Sequence, residues 1–149
     1  MTAAPVRFPF VEAVHEETLT LLIKALVYCE FKLPPEIAPL EPIDRLRIVG
    51  HAYRVTSRLA WATAWVAFHR AVLAGETITE DQRPTIEARW AGVWIGSHNL
   101  ADLNVPGELQ SLLDRSRGLV LRVLRIDSAC HLRHGTADPP DHSGPRLWH

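Results

Sequence analysis

Residues 43–74 read IDRLRIVGHAYRVTSRLAWATAWVAFHRAVLA, an unbroken run without proline. Its patterning predicts one long helix. Pro42 stands at its first position, where a missing N–H costs nothing, and Gly75 follows as a left-handed cap. Arg47, His51, Arg54 and Arg58 recur at i, i+4, i+7 and i+11 and therefore share one face. Trp61, Trp65, Phe68 and Val72 continue nearly the same stripe, so the helix has a basic half and an aromatic half. From Leu59 to Phe68 it is apolar on nearly all sides. Burying every side needs neighbours on both flanks, which predicts a dimer or a partner helix here.

Working upstream, Lys32 to Pro42 contains Pro34, Pro35, Pro39 and Pro42 and reads as a non-helical linker. Before it, Phe10 to Glu30 forms a first helix with Val11, Val14, Thr18, Leu21, Leu22, Ala25 and Cys29 on one stripe. Glu12, Glu16 and Glu17 sit in its opening turns, where the helix dipole favours negative charge. Working downstream, Thr79-Glu80-Asp81-Gln82 reads as a capping box. It opens a shorter helix whose apolar stripe is Ile86, Trp90, Val93 and Trp94. A last long helix runs from about Pro106 to Leu132. Its apolar face is Leu109, Leu112, Leu113, Ser116, Leu119, Val120 and Val123.

From Gly135 the chain has no periodicity and three prolines, the pattern of a disordered tail. No period-2 strand pattern occurs. The expected fold is all-α: an antiparallel helical bundle of three long helices and one shorter helix. Residues 1–134 form the bundle domain, with a linker at 32–42 and the tail at 135–149.

The whole chain has 149 residues, 16 Lys+Arg against 17 Asp+Glu, and a formal net charge of -1. That balance argues against a bulk nucleic-acid binder, which shows a strong basic excess. The 47% apolar content is that of one globular domain. Cys29 and Cys130 make no disulfide framework, which suits a reducing compartment. No apolar run is long enough for a signal peptide or a membrane span. A cytoplasmic, soluble protein is expected.

Catalytic constellations are scarce. Cys130, His131 and His134, with Asp138 and His142 beyond, could be assembled into a zinc set, but their spacing matches no finger pattern. Glu12 and His15 form a single Glu-x-x-His pair, where di-iron bundles need two. Arg45 with His51, and Arg125 with His131, fit the Arg-x(4–6)-His spacing of some helical ribonucleases. About two such matches are expected by chance in a chain this rich in both residues. Neither a nucleophile elbow nor a phosphate-binding glycine loop is present. The sequence therefore implies no enzyme, no cofactor and no resident metal.

Two blocks carry a resemblance. The first is Arg54, Thr56, Arg58 and Leu59, then Trp65, then His69-Arg70-Ala71-Val72 leading to Gly75-Glu76. The second is Val105-Pro106-Gly107-Glu108-Leu109, then Arg115-Ser116, then Arg122-Val123, Arg125 and Asp127. Together, over about half the chain, these blocks resemble the alphaproteobacterial family named for RcdA, the regulator of CtrA degradation. His69 stands where that family usually has Gln, and Ala60 where Met is common. The resemblance implies a non-catalytic homodimeric adaptor for regulated proteolysis by ClpXP. It would work with a receiver-domain protein, a ClpX-type unfoldase and cell-cycle protein substrates, with no nucleic acid and no membrane as partner. On this reading Trp61, Trp65 and Phe68 pack the bundle or a dimer seam. Arg47, Arg54 and Arg58 organise contacts or meet an acidic partner, and Arg70 is counted with them at the partner or dimer interface. A helical interaction protein unconnected with proteolysis is the alternative, ahead of a metal-dependent enzyme or a ribonuclease.

Overall fold

The computed structural model describes residues 9–84 and 104–134, and among them it is all-α, with no strand. The first helix, α1, spans Pro9–Val27 and buries Val11, Val14, Thr18, Leu21 and Ala25, as its periodicity requires. Thr18 is tolerated in that apolar face because its hydroxyl donates to the Val14 carbonyl at 2.7 Å.

The helix does not end where the prolines begin. It widens into a π turn at Tyr28–Lys32 and resumes as a short α2, Leu33–Ile37. The expectation of a non-helical 32–42 linker is corrected here for half its length. Pro34 and Pro35 occupy the first turn of α2, where their missing N–H groups have no helical partner to lose. The π turn keeps Tyr28 and Leu33, five residues apart, both in the core at 0% and 7% exposure. The Tyr28 hydroxyl donates to Glu36 Oε2 at 2.7 Å, tying α2 back to the turn before it. Burial, then the Glu36 carboxylate, pushes the Tyr28 phenol well above its ordinary range, so it remains a donor.

Helix α3 spans Pro42–Leu73, with Pro42 in its first turn as expected. It ends on Gly75 at φ 77°, with Gly75 N–H bonding to Val72 and Glu76 N–H to Ala71. That is a Schellman cap, and the left-handed φ is what requires glycine there. Thr79 to Gln82 close one 3-10 turn, in which the Gln82 side chain accepts from the Thr79 N–H, the return arm of a capping box. The stripe expected at Ile86, Trp90, Val93 and Trp94 and the tail from Gly135 lie outside the described residues.

Helix α4 spans Gly107–His134. All seven positions expected on its inner face, Leu109, Leu112, Leu113, Ser116, Leu119, Val120 and Val123, are buried. Each apolar side chain taken fully from water contributes about 1.5–3 kcal/mol, so this face is the main reason the helix packs.

Cross-helix contacts set the directions. Arg70 near the end of α3 pairs with Glu12 near the start of α1 at 2.8 Å. Lys32, just past α1, pairs with Glu108 at the start of α4 at 3.0 Å, while Arg122 of α4 pairs with Glu17. Helix α1 is thus antiparallel to both α3 and α4, and those two run the same way. No helix among the described residues is long and apolar enough to cross a membrane.

Candidate functional site

The basic and aromatic stripe of α3 is divided by its packing. Arg47 is exposed and reaches Asp44 at 3.6 Å. Arg54 is half-buried, and its guanidinium donates to His51 Nδ1 at 3.2 Å. Because Arg can only donate, that bond leaves Nδ1 unprotonated and the His51 proton on Nε2. Arg58 is 1% exposed and crosses to α4, donating to the Leu113 carbonyl at 3.0 Å and to Ser116 Oγ at 3.2 Å. Trp61 and Trp65 are in the core, Phe68 is half-buried, and Arg70 is held outside by Glu12. Arg58, Trp61 and Trp65 therefore do not belong to an exposed interface. The reason is that α4 lies along this side of α3, which covers the lower stripe but leaves Arg47 beyond its reach.

The electrostatics follow from that cover. Burial, then Arg54 and Arg117, pushes the Arg58 guanidinium down to about 10, with Asp114 opposing. Burial first, then Arg54 and Arg58, lowers the His51 imidazole from its ordinary value. Arg54 is lowered by burial. These groups form a partly internal basic seam, and its hydrogen bonds tie α3 to α4.

A second polar cluster sits further along the same two helices. Asp127 Oδ1 accepts from Trp65 Nε1 at 3.1 Å and from the Arg83 guanidinium at 3.1 Å. The His69 ring lies 4.1 Å from Trp65 and 3.6 Å from Asp127. Arg83 also lies over the Phe68 ring at 5.6 Å, a cation–π contact. One carboxylate thus joins α3, α4 and the chain after α3. Trp65 and His69 share a helix face at i, i+4, but Asp127 and Arg83 are distant in sequence and no spacing rule connects them.

The accessible apolar surface lies elsewhere. On α1 and its π turn, Leu19, Ile23, Leu26 and Phe31 are exposed. On the first half of α3, Ile43, Leu46, Val49 and Tyr53 are exposed, Tyr53 at 73%. Since α1 and α3 are antiparallel, both groups occupy the same end of the molecule. The outer face of α3 continues through Thr56, Ala60, Ala64 and Ala67, all exposed and none charged. A scattered exposed Leu is ordinary, whereas an uncharged exposed face of this length is not.

Among the described residues, no group of three or more His, Cys, Asp or Glu side chains converges on a point. Arg45 is spent on the Leu40 carbonyl at 2.7 Å, where it closes the connection before α3. The His131 and His134 side chains lie outside the described residues.

One family model matches residues 4–145, nearly the whole chain. The chain belongs to the DUF1465 family. That family is described only as a protein of unknown function. No curated protein and no solved structure matches the chain. Both polar clusters and the uncharged face of α3 fall inside the matched residues.

Proposed function

We propose that this DUF1465 protein is a non-catalytic adaptor or scaffold, built on an antiparallel helical bundle and working in the cytoplasm as a homodimer. It brings protein substrates to a ClpX-type unfoldase together with a receiver-domain protein, in regulated proteolysis of cell-cycle proteins. The observation that carries the association half of this reading is the long uncharged outer face of α3, headed by Leu46, Val49 and Tyr53. A monomer has no use for such a face in water, whereas a second copy would cover it symmetrically. The proteolysis half is supported by the two sequence blocks that resemble the RcdA family. Several of their residues hold the fold together: Arg58 with Ser116, and Trp65 with Asp127.

Two measurements test it. Light scattering on the full chain should give twice the monomer mass, and Leu46→Glu with Tyr53→Glu should return it to the monomer without loss of helical circular dichroism. A tagged pull-down from the native cytoplasm should recover an unfoldase or a receiver-domain protein. A dimer that recovers neither would leave the alternative, a helical interaction protein outside proteolysis. A wild-type monomer would remove the dimer.

A further inference from the structure

Between the second half of α1 and the first turns of α4 runs a groove of about 370 Å³. Its apolar lining is Ile23 and Val27 from α1 and Leu112 from α4. Its charged lining is Lys24, Lys32 and Arg115, against the single carboxylate of Glu108. Lys32 and Glu108 already neutralise each other at 3.0 Å. Among the described residues Lys24 and Arg115 make no hydrogen bond or ion pair, so the described lining carries an excess of two positive charges.

We infer that this groove is a docking site for an acidic amphipathic helix of a partner protein. The walls are two antiparallel helices, and the gap between them is the shape into which a third helix packs, ridge into groove. Ile23, 63% exposed, and Val27, 43% exposed, offer a bed for apolar side chains spaced one turn apart. Lys24 on one wall and Arg115 on the other set the sign of the flanking residues. A helix with Leu on its inner face and Glu on both shoulders satisfies bed and walls together. A basic helix would face like charges on both sides, which costs affinity and slows encounter. The inference rests on the adaptor reading for its biological sense, since docking a partner segment is what an adaptor does. It concerns a different surface from the outer face of α3 and is tested separately.

The test uses the full chain and a fluorescein-labelled peptide of about 18 residues, long enough for roughly 27 Å of helix. The peptide places Leu at i, i+3, i+4 and i+7, with Glu and Ala elsewhere. Its control replaces every Glu with Lys. Fluorescence anisotropy at low salt should show the Glu peptide binding at least about tenfold more tightly than the Lys peptide. Lys24→Glu with Arg115→Glu should reverse that preference. The single change Lys24→Ala, at an exposed site, should weaken the Glu peptide by several-fold should the double variant fold poorly. Equal binding of the two peptides, no binding of either, or Glu-peptide binding indifferent to the Lys24 and Arg115 changes would overturn the inference. A change of oligomeric mass in the double variant would also overturn it, by assigning the groove to a second copy. A failed peptide test beside a successful pull-down would leave the adaptor reading standing. The reverse pattern would leave a docking groove without proteolysis.

Discussion

Replacing Asp127 with alanine should destabilise the protein by about 3–4 kcal/mol. The carboxylate oxygen accepts from Trp65 Nε1 and from Arg83, each at 3.1 Å, and both donors are well shielded. Trp65 is 0% exposed, and the Arg83 and Asp127 side chains are 13% and 19% exposed. A hydrogen bond to a charged group of this kind contributes roughly 1.5–3 kcal/mol, and a buried donor left unpaired loses its full hydration. The lower half of that range applies to Arg83, which keeps its stacking on Phe68. Against a total stability of about 5–15 kcal/mol, the loss is large. In thermal unfolding it should lower Tm by about 10 °C, given roughly 2–4 °C per kcal/mol for a chain of this size. Urea unfolding followed by circular dichroism supplies the free energy directly. Asp127→Asn, which keeps one acceptor, should lose about half as much. Trp65→Phe removes the indole N–H, so the double variant with Asp127→Ala should show a coupling of about 1–2 kcal/mol. If Asp127→Ala stays within about 0.5 kcal/mol of the wild type, or the coupling is zero, then the three-way tie is not a stabilising element and the reasoning fails.

Four further outcomes are expected. Arg58→Met should cost less than about 1 kcal/mol or stabilise, because the Leu113 carbonyl keeps the Ser116 hydroxyl as donor and a buried charge is removed. Arg58→Glu, which buries a carboxylate among acceptors, should lose more than about 4 kcal/mol, read in the same urea assay. His51, held neutral by burial and by Arg54 and Arg58, resists a proton that the unfolded chain takes up near pH 6.5. Stability should therefore fall as pH drops below 6.5, and His51→Gln should flatten that slope in Tm measured from pH 7.5 to 5. Lys32→Ala and Glu108→Ala, which break a pair between exposed side chains, should each change stability by less than about 0.5 kcal/mol in urea unfolding.

Much of the architecture was legible in the chain because helices write themselves locally. Proline at 42 and glycine at 75 bound α3, and the seven inward positions of α4 follow from a 3.6-residue period. The same local logic misjudged Pro34 and Pro35. Two prolines in a row read as a break, yet the π turn at Tyr28–Lys32 delivers them to the first turn of a new helix, where proline is tolerated. That turn depends on keeping Tyr28 and Leu33 in one core, which is a tertiary demand.

The arginine stripe shows where periodicity stops. Arg47, Arg54 and Arg58 are equivalent by spacing, but α4 crosses at Arg58 and buries it, half-covers Arg54 and leaves Arg47 in water. No pattern joins Trp65 to Asp127, or Lys24 to Arg115, since each pair meets only when α4 packs beside α3 and α1. Local spacing decides which face of each helix is apolar. Which charges are buried, which are tied and which are left in water is decided by the neighbour each helix acquires. That information resides in contacts between residues far apart in the chain.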